Sequence, residues 1–419
     1  MPLAVRVLAL FAALAQVPFD TAIADLRSPD RETRLRAVRL LKEAGRPESV
    51  RPLVPLIGDQ DDEIQYEAIG AELNAFRAEK IVSKRRVGGV FEVRSRVVAE
   101  AAFSAGPFAL GPDQVPLELM SALLSAVPDD NAYIGLEALY AFGALAPNAS
   151  RHELRELLAT AAPEFAAFVG ASEPAQRVAA LRVIGRVFAR QPSDPPAPTA
   201  VGDAIVVALN DQDRLVRSAA SAALGAIRYE RAVQALLELF QHYRRGTVAD
   251  ELLDALARIG HGAAKPALSA ALQNGSTAMK RAAIEGLARM NDGAALAAAD
   301  GSLSRDRNDS VRLARAFAAV LVSRGGLDEI VNALTRTPLR DQALGYLIEL
   351  APGRAAALGR HAQESDAVIR RDIADALGVS GDQAARPIVD TLTRDGDPRV
   401  SQAAARAAAR LRVAVRPPS

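Results

Sequence analysis

Val216-Arg217-Ser218-Ala219-Ala220-Ser221-Ala222-Ala223-Leu224-Gly225 is the phrase on which the reading of this chain turns, because it recurs. Its first position returns at Val248, Met279, Val311, Leu339, Ile369 and Val400, in steps of 32, 31, 32, 28, 30 and 31 residues. Looser copies begin at Gln176, Ile134, Val93, Ile64 and Thr33, so the unit runs through almost the whole polypeptide. A period of roughly 20–50 residues marks a solenoid, because a unit too small to close its own core buries its apolar face on its neighbours.

Inside the phrase, Val216, Ala219, Ala220, Ala223 and Leu224 fall at i, i+3, i+4, i+7 and i+8. That spacing predicts a helix with one buried face. The stretch from Ala232 to Phe240 repeats it, so each unit reads as a pair of antiparallel helices. Asp30, Asp61, Glu173, Asp213, Asp366 and Asp397 stand three residues before the first position of their copies, where a carboxylate caps a helix start. Gly143, Gly185, Gly225 and Gly378 hold the tenth position and are expected to close the helix with a left-handed turn. Basic residues at the second position, including Arg34, Arg177, Arg217, Lys280, Arg312, Arg340 and Arg370, are expected to pair with carboxylates of the same or the next unit as a structural ladder. Alanine at the fifth position, as at Ala68, Ala220, Ala283 and Ala404, lets neighbouring helices approach closely.

This layout resembles the HEAT-repeat family, in particular its short, alanine-rich bacterial form, called HEAT-like or phycobilisome-lyase-type repeats. The resemblance is clearest from Gly202 to Leu411. It implies an all-α fold, a right-handed α-solenoid (superhelix) of about a dozen antiparallel helix pairs. It says little about activity, because scaffolds, adaptors, lyases and hydroxylases all use such repeats. On this reading the repeats occupy residues 16–75, 119–190 and 201–412. Between them lie an irregular basic insertion over 76–118 and a proline-rich loop over 191–200, and a tail follows over 413–419. Gly88-Gly89, set between β-branched runs, reads as a hairpin, and the segment Phe103 to Pro112 as a covering loop. An array grows by adding layers, so one elongated body is expected.

With 51 basic and 50 acidic side chains the formal charge is +1, which gives no broad electrostatic grip on nucleic acid or an acidic membrane. Aromatic residues make up 4% and tryptophan is absent, which disfavours base-stacking platforms. The absence of cysteine excludes disulfides and thiolate metal sites. Arg6 precedes an apolar run from Val7 to Ala15 that ends in Ala-Leu-Ala, the form of a signal peptide cleaved after Ala15. A periplasmic or secreted protein is therefore expected, the alternative being a cytoplasmic chain whose first helix packs on the array. No later stretch is long and apolar enough to span a bilayer.

Lys80, Lys84, Arg85, Arg86, Arg94 and Arg96 are offset locally only by Glu92, and are the expected contact for an acidic protein partner. The competing reading is a solvated loop. His152, His242, His261 and His361 lie in different units, and only His152-Glu153 forms the dipeptide that iron hydroxylases of this repeat type carry several times. No metal or cofactor is expected. Asp250, Glu251 and Asp254 read as an exposed helix face, and no phosphate-binding loop, nucleophile elbow or zinc-binding helix is found. The sequence thus points to a monomeric, non-catalytic scaffold or adaptor that contacts a protein through its concave helix surface and loops. The alternative is a HEAT-like lyase or hydroxylase with a cofactor in the groove.

Overall fold

The apolar residues at helical spacing form helices. In the computed structural model, which describes residues 19–77, 98–106, 110–111, 114–189, 195–322 and 325–413, the described residues form 24 α-helices and no strand. Two isolated bridges, Arg77 with Leu110 and Val115 with Ala149, are the only β-type pairings among them. Where one body is expected, the chain divides into two units, Met1–Ala149 and Ser150–Ser419. The division falls inside the step from Ile134 to Gln176, which at 42 residues exceeds the period.

Unit 1 contains α1 (Phe19–Asp25), α2 (Arg31–Ala44), α3 (Val50–Leu53), α4 (Asp62–Ala75), α5 (Val98–Ser104), α6 (Leu117–Ser125) and α7 (Ala132–Leu145). Helices α2, α4 and α7 pack in a row, and α5 lies on α7. Unit 2 contains α8 (Arg151–Thr160), α9 (Ala162–Val169), α10 (Pro174–Val187), α11 (Thr199–Ala208), α12 (Arg214–Ile227), α13 (Val233–Tyr243), α14 (Thr247–Ile259), α15 (Lys265–Asn274) and α16 (Thr277–Arg289). It continues with α17 (Gly293–Leu303), α18 (Asp309–Val322), α19 (Leu327–Ala333), α20 (Arg340–Leu350), α21 (Ala355–Gly359), α22 (Ala367–Ser380), α23 (Arg386–Leu392) and α24 (Pro398–Val413). The even-numbered helices from α10 to α24 carry the recurring phrase and pack one on the next, each covered by the odd-numbered helix before it.

Several expectations are met, and others need correction. Asp30, Asp61, Asp213, Asp366 and Asp397 each accept a backbone N–H from the start of their helix, as capping requires. Glu173 makes no such bond. The stretch 76–118 is not irregular throughout, since α5 spans Val98–Ser104 and includes Phe103, placed beforehand in a loop. Its Ala102 and Phe103 are buried, which is what makes this short segment helical. After the proline-rich segment helix resumes at Thr199, and Val413 closes the last helix instead of opening the tail. The signal-peptide run, the Gly88-Gly89 turn and the six basic residues Lys80, Lys84, Arg85, Arg86, Arg94 and Arg96 lie outside the described residues.

The tenth-position glycines do not terminate helices. Gly143, Gly185, Gly225 and Gly378 sit within α7, α10, α12 and α22, and none has a positive φ. The left-handed residue comes three positions later, at Gly45, Arg228, Gly260, Asn291 and Gly381. Gly225 and Gly378 serve packing instead. A Cβ there would lie 3.0 Å from the Ala255 Cα and 2.6 Å from the Ala407 Cα of the next helix in the row. Gly286 approaches the Ala257 Cα in the same way, at 2.8 Å. The fifth-position residues Ala68, Ala220, Ala283, Ala343 and Ala404 are fully buried in the same seams. Neighbouring phrase helices therefore meet backbone to backbone.

Two glycine substitutions should separate these roles in denaturant melts. Gly378→Ala forces a methyl into the Ala407 backbone and should cost about 1–3 kcal/mol. Gly345→Ala, in α20 with nothing within 4 Å of the new methyl, should leave stability unchanged or raise it by up to about 1 kcal/mol.

Candidate functional site

The second-position ladder forms, and its geometry is closely similar in three repeats. The Arg34 guanidinium donates Nη1 to the carbonyls of Ser28 and Pro29 in its own turn, at 3.1 and 3.2 Å. Its Nε and Nη2 fork onto Asp59 of the next repeat, at 3.0 and 3.1 Å. Arg370 does the same with the carbonyls of Glu364 and Ser365 and with Asp395, while Arg177 donates Nη1 to the carbonyls of Ala171 and Ser172 and Nη2 to Asp211, its Nε lying 2.8 Å from the second Asp211 oxygen without hydrogen-bond geometry. Lys280 reaches Asp306 at 3.1 Å. In these four rungs the carboxylate stands five residues before the next phrase, not three, whereas Arg340 forks onto Asp372 within the next phrase and Arg312 pairs, among the described residues, only with Asp309 of its own helix start. Each of the four carboxylates also accepts the amide two residues on, that of Asp61, Asp213, Asn308 or Asp397. Capping and bridging are thus divided between two acids of one turn. Arg177 holds Asp211 below the usual carboxylate range, and Arg370 does the same for Asp395.

The ladder breaks at Arg217. Its Nη1 donates to the carbonyls of Asp211 and Gln212 at 2.7 and 3.0 Å, as in the complete rungs. Five residues before Val248, where the carboxylate should be, stands Tyr243. No carboxylate among the described residues lies within ion-pair distance of Arg217, and Asp211 already takes the fork of Arg177. Arg217 and Tyr243 line one cleft with Leu209, Ser218, Val248 and Glu251. Arg214, also on its wall, donates to Thr247 Oγ1 at 2.8 Å.

The turn that carries acids elsewhere here reads His242-Tyr243-Arg244-Arg245-Gly246. Arg244 takes a left-handed backbone with φ 47°, and His242 lies edge-on to Tyr243 with ring centroids 4.9 Å apart. On the adjoining helices Val207 and Leu215 are 74% and 67% exposed, the two most exposed large apolar side chains among the described residues. Exposed aliphatic side chains on α11 and α12 thus accompany the aromatic and arginine side chains of the turn after α13. It was not singled out in the sequence, although tyrosine at a ladder position followed by Arg-Arg was the available signal.

A second cluster braces the phrase helices from within. Glu349 on α20 takes the Arg289 fork from α16 at 2.8 and 2.9 Å, and lies 3.5 Å from Arg228 at the end of α12. Burial would raise the Glu349 pKa, but Arg289, with Arg228 and Arg258, holds it below the usual range. Tyr346 donates to Glu285 and stacks on Phe317 with centroids 4.3 Å apart, while the Arg289 guanidinium lies over the Phe317 ring. Packed helix axes are about 8–10 Å apart, so an Arg228–Glu349 contact across α14, α16 and α18 requires unit 2 to curve toward this edge.

Unit 1 holds two buried carboxyls without such partners. Burial pushes Glu137 up to about 7, although its Oε1 accepts the Ala99 amide at 2.9 Å. Burial alone raises Glu72 well above its ordinary value. His361 contacts Asp328 and Glu364, and His152 contacts Glu156. Among the described residues no three histidine or carboxylate side chains come together as metal ligands, and no helix is long and apolar enough to cross a membrane. Asp254 pairs with Arg258 and Arg281, so it belongs to the brace more than to a bare exposed face.

A family model of HEAT repeats matches residues 19–79 and 162–253. No curated protein matches the chain. Among solved structures, an engineered protein is 18% identical, over 94% of this chain and 98% of that one, with a TM-score of 0.39. A designed armadillo repeat protein in complex with the peptide (KR)4 is 17% identical, over 64% and 98%, with a TM-score of 0.36. The complex of CpcE and CpcF of phycocyanin lyase from Nostoc sp. PCC7120 is 19% identical, over 54% and 92%, with a TM-score of 0.41. These likenesses concern the repeat fold alone.

Glu349 and Glu137 should respond to pH with opposite signs. Glu349 has a lowered folded pKa, so its contribution is present above the ordinary carboxylate range and is lost as pH falls through the folded value. Glu349→Gln should cost about 1–3 kcal/mol at pH 7 and progressively less below pH ~4. Glu137 has a raised folded pKa, so the wild type loses stability as pH rises from about 4.5 to about 7. Glu137→Gln should gain about 1–3 kcal/mol at pH 8 and almost nothing at pH ~4. Urea melts at both pH values check both signs.

Proposed function

We propose that this HEAT-repeat chain is a non-catalytic scaffold that holds a protein partner, and that the edge of unit 2 between Val207 and Thr247 is part of the contact. The observation that supports this reading is the composition of that edge. Exposed Val207 and Leu215 stand on α11 and α12, and Tyr243, Arg244 and Arg245 occupy the turn that carries ion-paired acids in other repeats, with Arg214 reaching Thr247. Aromatic and arginine side chains with aliphatic neighbours are the usual anchors of protein interfaces. A preformed repeat surface also spreads modest contacts over several units with little loss of ordering entropy. The apolar run before Gln16 supports export, and amino-terminal sequencing of envelope or secreted material, finding Gln16 first, would test that part of the proposal.

The test is cross-linking in native cells, with linked peptides identified by mass spectrometry. Links from the partner should concentrate on the 207–247 edge. Leu215→Glu with Arg245→Glu should weaken the purified pair at least about tenfold, or 1.4 kcal/mol, with helicity unchanged. Links confined to other surfaces, or undiminished binding, would contradict the proposal. A bound chromophore or iron in the purified chain would favour the enzyme reading instead.

A further inference from the structure

We infer that the cleft at Arg217 is a receptor for one carboxylate of a protein partner, an Asp or Glu flanked by apolar residues, which completes the broken rung from outside. The inference rests on the scaffold reading above and assigns the chemistry of one contact within it. Three rungs define what an arginine at this position does: half of the guanidinium binds the two carbonyls of its own turn, and the other half pairs with an aspartate, through two hydrogen bonds at Arg34 and Arg370 and one at Arg177. At Arg217 the first half is in place, at 2.7 and 3.0 Å, so the guanidinium is held in the ladder pose. Its Nε and Nη2 have no acceptor among the described residues. The fork therefore needs no ordering before it meets a carboxylate, and a charge-assisted bidentate pair is the strongest match for it.

The surroundings select the same ligand. Leu209, Leu239, Val248 and Leu252 supply apolar wall together with the 40% exposed Tyr243, which suits an aliphatic neighbour of the acid. Arg214 on its wall, and Arg244 and Arg245 directly after Tyr243 in the chain, add positive charge. The opposing groups are few. Asp211 lies close enough to interact electrostatically with Arg217 but is held by Arg177, Asp213 is committed to capping α12, Asp250 accepts from Ser276, and Glu251 lies on the α14 wall without a cation partner among the described residues. A basic or neutral side chain would leave the fork unsatisfied.

The probe is an array of decapeptides in which a central Asp, Glu, Asn or Lys sits between leucines, read against the full chain by fluorescence anisotropy. Asp or Glu peptides should bind at least about tenfold tighter than Asn or Lys peptides. Arg217→Gln should abolish that preference, and Glu251→Gln should sharpen it. An arm without ligand supplies the rung internally: Tyr243→Asp should melt on the order of 2 °C above Tyr243→Asn and lose the acidic preference. In an Arg217→Gln background the two should melt alike. Equal binding of Asp and Asn peptides, or no difference between Tyr243→Asp and Tyr243→Asn, overturns the inference. A fall in melting temperature with Glu251→Gln does so too, because it would make Glu251 the native partner. Loss of the acid preference with cross-links retained at 207–247 would refute the rung and spare the scaffold reading, and cross-links elsewhere with the preference intact would do the reverse.

Discussion

One guanidinium shared between two repeats organises this molecule. Its carbonyl half fixes the arginine to its own turn, and its fork fixes that turn to the aspartate of the next. A purely apolar seam between two alanine-rich helices could slide, since dispersion contacts are individually small and non-directional. A bidentate pair in a half-buried setting cannot slide without leaving a charge stranded, which is the expensive outcome. The glycine and alanine seams set how closely phrase helices approach, and the forks set their register. Where a repeat lacks its aspartate, as at Tyr243, the same arrangement leaves a positioned cation at the surface.

The two arginine clusters of unit 2 differ in how that chemistry is satisfied. At Glu349 the fork of Arg289 is satisfied from within, by a residue 60 positions away in the sequence, and the aromatic stack of Phe317 and Tyr346 closes around it. That cluster is a brace. At Arg217 the complementary acid is missing, and the walls are apolar, basic and partly exposed.

Much of the fold was legible because its determinants are local. The period, the apolar spacing of Val216 to Leu224 and the capping aspartates each act within a turn or two of one helix. The tenth-position glycines were misread because a closing turn and a close helix contact both select glycine, and only the Ala255 and Ala407 backbones of the neighbours tell them apart. The ladder was anticipated, but not which acid of each turn forms it, since Asp211 and Asp213 differ only in which way they point. The Arg228–Glu349 contact depends on accumulated curvature over several repeats, which no local pattern encodes. Tyr243 stands out only against the aspartates at the same position elsewhere, a comparison that needs the bridging acid of each turn to be known.

The claim that shared forks tie repeat to repeat is tested most directly by a double-mutant cycle on Arg370 and Asp395, read by equilibrium unfolding of the single and double variants. Coupling of about 1–3 kcal/mol between Arg370→Gln and Asp395→Asn, fading as Asp395 is protonated, is the result this structure predicts. Additive effects within about 0.3–0.5 kcal/mol would mean that the small-residue seams alone hold the array, and the broken rung at Arg217 would lose its meaning.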